Sequence, residues 1–186
     1  HTAWCAQAGQ VEFAQGLASA QQRGQAPRIL GKGDALQEGD LLNTGPRGFA
    51  IIAFPDGGKV TLRPNTTFAI DEYNGAAGQE SVVLRLLKGG LRTVTGAIGR
   101  AKPEAVQVRT STATIGIRGT SFDARLCEGD CARENLTGQP RPGEKPKSVP
   151  DDPAVARVLL LQGDATITAP KQPDRRAVRG AALYSG

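Results

Sequence analysis

Two cysteines four positions apart, Cys127 and Cys131, are the first candidates for chemistry in this sequence. They flank Glu-Gly-Asp, a turn-like tripeptide that brings two Cα atoms within the range of a disulfide bond. A thioredoxin-like redox pair has two intervening residues and begins a helix, whereas this pair has three and follows a strand-like run. The spacing therefore favours a structural disulfide over a redox site.

Other side chains that activate nucleophiles or bind metals are scarce. The only histidine is His1, so the chain has no internal imidazole to serve as the base of a hydrolase triad or to complete a zinc site. The run GKGD at residues 31–34 lacks the Ser or Thr that follows Gly-Lys in a phosphate-binding loop. Cys5 has no partner suggested by its spacing and receives no role. We therefore predict no catalytic residue, no cofactor and no metal.

Carboxylates are the remaining candidates for catalysis. Asp34, Glu38 and Asp40 lie close in sequence, and Asp71 is followed directly by Glu72. Paired carboxylates hydrolyse glycosidic bonds or bind calcium, although charged residues in turns are usually just solvated. They support an alternative function as a polysaccharide-binding or polysaccharide-active protein that uses the carboxylates around Asp71 and Glu72.

The composition describes a folded chain that is rich in turns. Hydrophobic residues make up 39% and charged residues 22% of the 186 residues, with 24 Gly and 12 Pro. The net charge of +5 permits an anionic partner, but the basic residues are dispersed and aromatic residues are only 4%, so nucleic acid is not favoured. No stretch approaches the length of about 18 apolar residues that a membrane span requires.

Short apolar runs with turn residues between them predict a many-stranded β domain. The clearest hairpin has Phe49–Phe54 as its first arm and Asp56-Gly57 as its turn, because these two residues tolerate positive φ. The first arm is apolar on both faces, which predicts a central strand covered on both sides. The second arm alternates, so Val60 and Leu62 should face the core and their neighbours the solvent.

A change of parity marks the run STATIGIRGTSFDARL. Apolar residues occupy odd positions in 113–117 and even positions in 122–126, so a straight strand would turn its second half inside out. Gly119, between Arg118 and Thr120, is the residue that best tolerates the required bulge or bend. A bend there would let one strand serve both layers of a curled sheet.

Two neighbours of this bend carry predictions of their own. Gly116 sits between two isoleucines, which suggests that another backbone approaches closely at this point. Arg118 ends the apolar run and either binds an anion or bonds to nearby groups to hold the bend, and the second interpretation is favoured.

The predicted organisation is one all-β domain. Residues 1–8 are interpreted as an N-terminal tail or the remnant of an export signal, because Ala-Gln-Ala is a small-x-small pattern. Residues 9–186 form the domain, in which Glu12 to Gln21 is predicted to be strand. The proline-rich stretch 134–152 is predicted to be a surface insertion, since it cannot sustain a sheet. The fold class is a single curled β-sandwich, jelly-roll-like, of many short strands.

Three blocks of the sequence resemble the FecR-type domain family. They are GDALQEGDLLNTGPRGFAIIAFPDGGKVTLRPNTTFAIDEY, LLKGGLRTVTGAIGR and VRTSTATIGIRGTSFDARLCEGDC. The resemblance spans roughly Gly9 to Cys131 and resumes at Val158 to Thr168. It includes Asp56-Gly57, Leu62-Arg63-Pro64-Asn65-Thr66 and Arg118-Gly119-Thr120.

The resemblance implies an exported, largely β domain that is not an enzyme. Members of the family lie in the periplasm below outer-membrane siderophore receptors and pass a receptor's state to a sigma factor. This sequence shows no anti-sigma segment and no transmembrane helix, so it resembles the stand-alone or modular members. We expect a non-catalytic periplasmic binding or scaffold module in envelope signalling or sensing. Its expected partner is another envelope protein or a glycan, and the alternative is a polysaccharide-active envelope protein.

Overall fold

The computed structural model of the chain describes residues 7–127, 156–168, 175–176 and 182–184. Within these residues it contains fifteen strands and two short helical segments. The strands are β1 (Gln7–Gln15), β2 (Ala18–Gln21), β3 (Arg28–Ile29), β4 (Ala35–Gln37), β5 (Leu41–Thr44), β6 (Phe49–Ala53), β7 (Lys59–Leu62), β8 (Thr67–Asn74), β9 (Ser81–Lys88), β10 (Gly90–Val94), β11 (Val106–Arg109), β12 (Thr114–Leu126), β13 (Ala156–Thr168), β14 (Arg175–Arg176) and β15 (Ala182–Tyr184). The α-helix α1 spans Ala97–Ala101, and a 3-10 helix spans Pro103–Ala105.

The strands form two layers that share β12. The front sheet has the order β4-β1-β6-β7-β10 and ends on the second half of β12. The back sheet has the order β3-β2-β5-β8-β9-β11 and ends on the first half of β12, while β13 runs beside β12 along both halves. Neighbours pair antiparallel except β9 and β11, which are parallel. The all-β sandwich-like fold expected from the sequence is confirmed.

The core lies between the inner faces of the two sheets. Alternate residues of each strand point inward, as period-2 patterning requires. The largest fully buried side chains of the front sheet and its neighbours include Leu36, Ile52, Leu62, Leu91 and Phe122, and those of the back sheet include Leu42, Phe68, Ile70, Leu86 and Ile115. Because both layers contribute large apolar side chains, each sheet covers the apolar face of the other.

The long strand β12 changes layers where the sequence changes parity. Ile115 and Ile117 are buried before the change, and Phe122 and Ala124 are buried after it. The pairing of β12 with β13 shifts register between Arg118 and Phe122. The first half pairs with β11 and the second half with β10, so the predicted change of face is confirmed. The contribution of Gly119 itself stays a prediction.

The predicted hairpin is also present. β6 and β7 pair antiparallel, and Gly57 adopts a positive φ of 84° in the turn. Val60 and Leu62 are buried, as the alternation of the second arm predicts. The stretch Glu12 to Gln21 is strand on both sides of a corner, in β1 and β2.

Three expectations from the sequence are wrong. The expected tail includes Gln7 and Ala8, but β1 begins at Gln7 and Ala8 is only 1% exposed, because it packs into the core. The first hairpin arm is not covered on both sides: only Ala50, Ile52 and Phe54, which share one face, are buried, since its other face belongs to the outer surface of a two-layer fold. Gly116 meets no close backbone, and a Cβ there would lie 3.9 Å from the nearest atom, the Thr166 carbonyl oxygen.

Some predictions concern residues outside the described part of the chain. They include Cys131, Cys5, residues 1–6 of the tail and the insertion at 134–152. In the part of the chain that the structure describes, no helix is both long enough and apolar enough to cross a membrane.

Candidate binding surface

The outer face of the front sheet carries the side chains that alternate with the core residues. Its central row crosses β1, β6, β7, β10 and β12 through directly opposed residues. The row consists of Phe13, Ile51, Thr61, Arg92 and Asp123. We use the name front face for this row together with its outward neighbours Phe49, Arg63, Val94 and Arg125.

One end of the front face is aromatic. The pairing of β1 with β6 shifts register between Val11 and Phe13, so one extra residue turns Phe13 outward while Val11 remains in the core. The Phe13 ring meets the edge of the Phe49 ring at a centroid distance of 6.1 Å, and Phe13 is 43% exposed. This end of the sheet therefore presents apolar surface to solvent.

The other end of the front face is rich in arginine. Arg63 forms an ion pair with Asp123, a carboxylate that its neighbours almost completely bury. Arg125 is opposite Gly90 in the pairing of β12 with β10. A Cβ at Gly90 would lie 3.0 Å from the Cβ of Arg125 and 3.3 Å from the Cδ of Arg63, so the two arginines flank the glycine.

Asp56 has a larger role than the turn residue that the sequence predicted. Its carboxylate accepts hydrogen bonds from the backbone N–H of Gly58 at 3.0 Å and of Ile98 at 3.2 Å. Its carbonyl oxygen accepts another from the N–H of Ala97 at 2.9 Å. Asp56 thus holds the hairpin tip against the first turn of α1.

Tyr73 lies beside this corner. Its ring stacks on Phe54 with a centroid distance of 5.5 Å, and both line a small cavity between the sheets. Burial, followed by the negative charge of Asp56, raises the pKa of the Tyr73 phenol above its ordinary value of 10.0. The corner is a packed structural junction, and its cavity of about 30 Å³ has room for roughly one water molecule.

The candidate carboxylates Asp34, Glu38 and Asp40 form hydrogen bonds and ion pairs within the fold. Asp40 is fully buried and forms a bidentate ion pair with Arg28, whose pKa this hydrogen-bonded partner raises. Asp34 accepts the N–H of Gly31 at 2.7 Å, and Glu38 accepts the N–H of Tyr73 at 3.1 Å. These residues anchor backbone and do not face one another across a cleft.

The second group is on the outer face of the back sheet. The carboxylate of Asp71 pairs with Arg85 at 2.9 Å, at a point where β8 and β9 shift register before Glu72. Within the described residues, no three Asp, Glu, Cys or His side chains are grouped so that they could hold a metal ion.

The remaining predicted residues lie around β12. Arg118 is exposed and stands opposite Asp164 in the pairing with β13. Cys127 is buried at the end of β12, and because Cys131 is outside the described residues, their bridge stays a prediction. The structural roles of Arg118, Gly119 and Thr120 in the bend stay predictions as well.

Reasoning from the sequence did not identify the front face. Its arginine end joins residues that are far apart in the chain, such as Arg63 and Asp123, which are 60 positions apart. One pattern pointed toward it: the alternate apolar residues Phe49 and Ile51 of β6, which suggested a second buried face. In the structure these residues form part of the outer apolar surface.

A family comparison agrees with this architecture. The model of the family described as FecR protein matches residues 40–139, more than half of the chain. This chain belongs to the FecR family. The matched region of this FecR domain begins at Asp40 and contains both central hairpin strands and all of β12.

Comparison with solved structures gives a distant likeness. Two crystal structures, at 2.50 and 1.65 Å resolution, of a provisionally assigned anti-sigma factor from Parabacteroides distasonis ATCC 8503 each align with a TM-score of 0.49 and 15% identity. Each alignment covers 76% of this chain and 57% of the other, so this FecR domain spans little more than half of that protein. No curated protein sequence matches the chain.

Proposed function

We propose that this FecR domain is a non-catalytic, periplasmic module that takes part in envelope signalling by binding a protein partner through its front face. The observation that carries the proposal is the composition of that face. Phe13, Phe49 and Ile51 lie at one end of a continuous sheet surface, and arginines lie at its other end. Aromatic residues and arginine are enriched in protein interfaces and dominate their binding energy.

The family assignment supports the signalling role. FecR-type domains are regulators that contact other proteins, and a disulfide between Cys127 and Cys131 would suit an oxidising compartment. The alternative function, in polysaccharide chemistry, depends on Asp71 and Glu72. It loses support because Asp71 is engaged by Arg85.

In-cell photo-cross-linking tests the proposed surface. A photoreactive residue at Val94, which is 47% exposed on the front face, should give a discrete cross-linked product. Leu87, which is 44% exposed on β9 of the back sheet, is the matched control and should give none. Equal products from both positions, or a product from Leu87 alone, would contradict the assignment of the front face.

Two further measurements test the other parts of the proposal. Osmotic shock should release the protein together with periplasmic markers. Assays against envelope glycans should show no saturable turnover, and a turnover that Asp71→Asn abolishes would establish the enzymatic alternative instead.

A further inference from the structure

The hairpin between β8 and β9 turns at an Asn-Gly pair. Asn74 is the last residue of β8 and is paired with Ser81 of β9, and Gly75 is the first residue of the turn. Residues 75–79 are all exposed. In such a pair the backbone nitrogen of the glycine can attack the side-chain amide carbon of the asparagine, because glycine has no side chain to block the approach. Whether the attack occurs depends on the contacts of the two reacting groups.

The backbone nitrogen of Gly75 is free to react. In the part of the chain that the structure describes, no acceptor receives its N–H. A Cβ built on Gly75 would have the Cε1 atom of Tyr73 as its nearest neighbour, at 3.9 Å, so the space around this residue is open. Because no hydrogen bond has to be broken, the nitrogen can turn toward the side chain of Asn74 without that cost.

The side-chain carbonyl of Asn74 is prepared for attack. Its Oδ1 accepts the backbone N–H of Ala76 at 2.9 Å, in a turn where the asparagine side chain bonds to the backbone two residues on. When a nucleophile adds to the Cγ of Asn74, negative charge develops on Oδ1. A donor that already points at this oxygen stabilises the charge, as the donors of an oxyanion hole do.

The two other asparagines that the structure describes are protected. Asn43 and Asn65 are each followed by a threonine whose backbone N–H is hydrogen-bonded. The N–H of Thr44 donates to the carbonyl oxygen of Thr66 at 2.9 Å, and the N–H of Thr66 donates to the hydroxyl of Thr44 at 3.0 Å. Attack at either asparagine would therefore require the loss of a hydrogen bond within the fold.

The turn between β6 and β7 protects a related pair in the same way. An aspartate that precedes a glycine can form the same cyclic product as an asparagine. Here the N–H of Gly57 donates to the carbonyl oxygen of Phe54 at 3.0 Å, and the carboxylate of Asp56 accepts the N–H groups of Gly58 and Ile98. Both reacting groups of this turn are occupied, whereas those of the β8–β9 turn are not.

We infer that Asn74 is the site of a spontaneous covalent modification, the deamidation of its side chain. The nitrogen of Gly75 forms a bond to the Cγ of Asn74, and the bond from Cγ to the side-chain nitrogen breaks. The proton of the Gly75 N–H leaves with that nitrogen as ammonia. Water then hydrolyses the cyclic imide, which opens to either aspartate or isoaspartate. Water is the one co-reactant, and asparagine counts among the thermolabile residues of proteins.

The modification changes both the charge and the main chain at the hairpin tip. Either product adds a carboxylate, which lowers the net charge of +5 by one. Isoaspartate also routes the main chain through the former side chain, next to the pair of Asn74 and Ser81 at the end of the ladder. No front-face residue belongs to β8 or β9, so the modification is independent of the proposed function.

Peptide mapping of the aged protein tests the inference. The purified, folded chain is incubated at mildly alkaline pH, where a backbone amide loses its proton more readily, and its digests are weighed at intervals. A digest at time zero corrects for conversion during digestion. The peptide with Asn74 should gain one dalton and separate into two forms, while those with Asn43 and Asn65 keep their masses. No gain at Asn74, or an earlier gain at either other asparagine, overturns the inference.

Gly75→Ala is the matched variant. The added Cβ has room, and the φ of Gly75 lies outside the left-handed region, so the variant should keep the wild-type melting temperature. Its methyl group hinders the approach of the nitrogen, and the gain in mass at Asn74 should become several-fold slower. A variant that melts like the wild type and converts at the same rate would show that the reaction does not pass through the nitrogen of Gly75, which overturns the inference.

Discussion

Replacing Asp40 by alanine should destabilise the domain severely, because this carboxylate joins the free edges of both sheets. Its oxygens accept hydrogen bonds from Arg28 of β3 at 2.6 and 3.0 Å and from the backbone N–H of Gln37 of β4 at 2.9 Å. They also accept one from the side-chain amide of Gln22 at 3.1 Å. β3 lies at the edge of the back sheet and β4 at the edge of the front sheet.

The size of the effect follows from burial on each side of the ion pair. Asp40 is 0% exposed, whereas the side chain of Arg28 is 40% exposed and can regain water when its partner is removed. The cost should therefore fall below the range of about 3–5 kcal/mol expected when a fully buried partner is stranded. The N–H of Gln37 loses its acceptor at a part-buried position, which adds about 1–3 kcal/mol. We expect a total of about 2–4 kcal/mol.

Chemical denaturation and thermal melting measure this prediction. For a domain of this size, the loss should lower the melting temperature by roughly 5–15 °C. Asp34→Ala is the control: its carboxylate accepts one N–H, that of Gly31, at an exposed position, and its loss should cost no more than about 1 kcal/mol. A double-mutant cycle between Asp40→Ala and Arg28→Ala should give a coupling above about 0.5 kcal/mol. An Asp40→Ala protein that melts within error of the wild type would refute this reasoning.

Four further predictions test other parts of the fold. Gly119→Val should cost about 1–3 kcal/mol in a thermal melt, because the shift of register in β12 needs a bend that a branched residue resists. Asp56→Ala should cost about 1–2 kcal/mol of unfolding free energy, because two backbone N–H groups lose their acceptor. This is more than the loss of a turn residue alone, and a cost below about 0.5 kcal/mol would count against the junction with α1. Alkylation of the folded, oxidised protein without reductant should label at most one of its three cysteines by intact mass, if Cys127 and Cys131 are joined. Ultraviolet titration should show Tyr73 ionising above pH 10, and Tyr73→Phe should remove this transition. Because the fold favours the neutral phenol, the free energy of unfolding should decline as the pH rises beyond 10.

The sequence pattern correctly predicted the features that depend only on neighbouring residues in the chain. The Asp56-Gly57 turn follows from residues that tolerate its backbone angles, and the burial of Val60 and Leu62 follows from alternation along one strand. The change of layer in β12 could be predicted because the side-chain period of a strand is two, so a change in parity requires a change in register.

The sequence pattern gave wrong or incomplete predictions where a residue's surroundings depend on strands that are distant in the chain. The apolar residues on both faces of β6 predicted a strand with two covers, but the number of layers is a property of the whole fold, and Ile51 faces outward. Gly116 predicted a close neighbour, yet its surroundings depend on which strands and layers come to flank it. The structural role of Asp40 could not be predicted either, because its ion-pair partner, Arg28, lies on β3.

The amino-acid sequence by itself determined the β class, the central hairpin and the change of layer in β12, since each depends on residues that are close in the chain. It also determined membership of the FecR family, which depends on a long run of matched positions. Only the tertiary structure decided that Arg63 and Arg125 meet across Gly90. Strand order placed β10 between β7 and β12, and that order results from the packing of two complete sheets around a shared core. A cross-strand row belongs to no single segment, so no local pattern specifies which side chains it brings together.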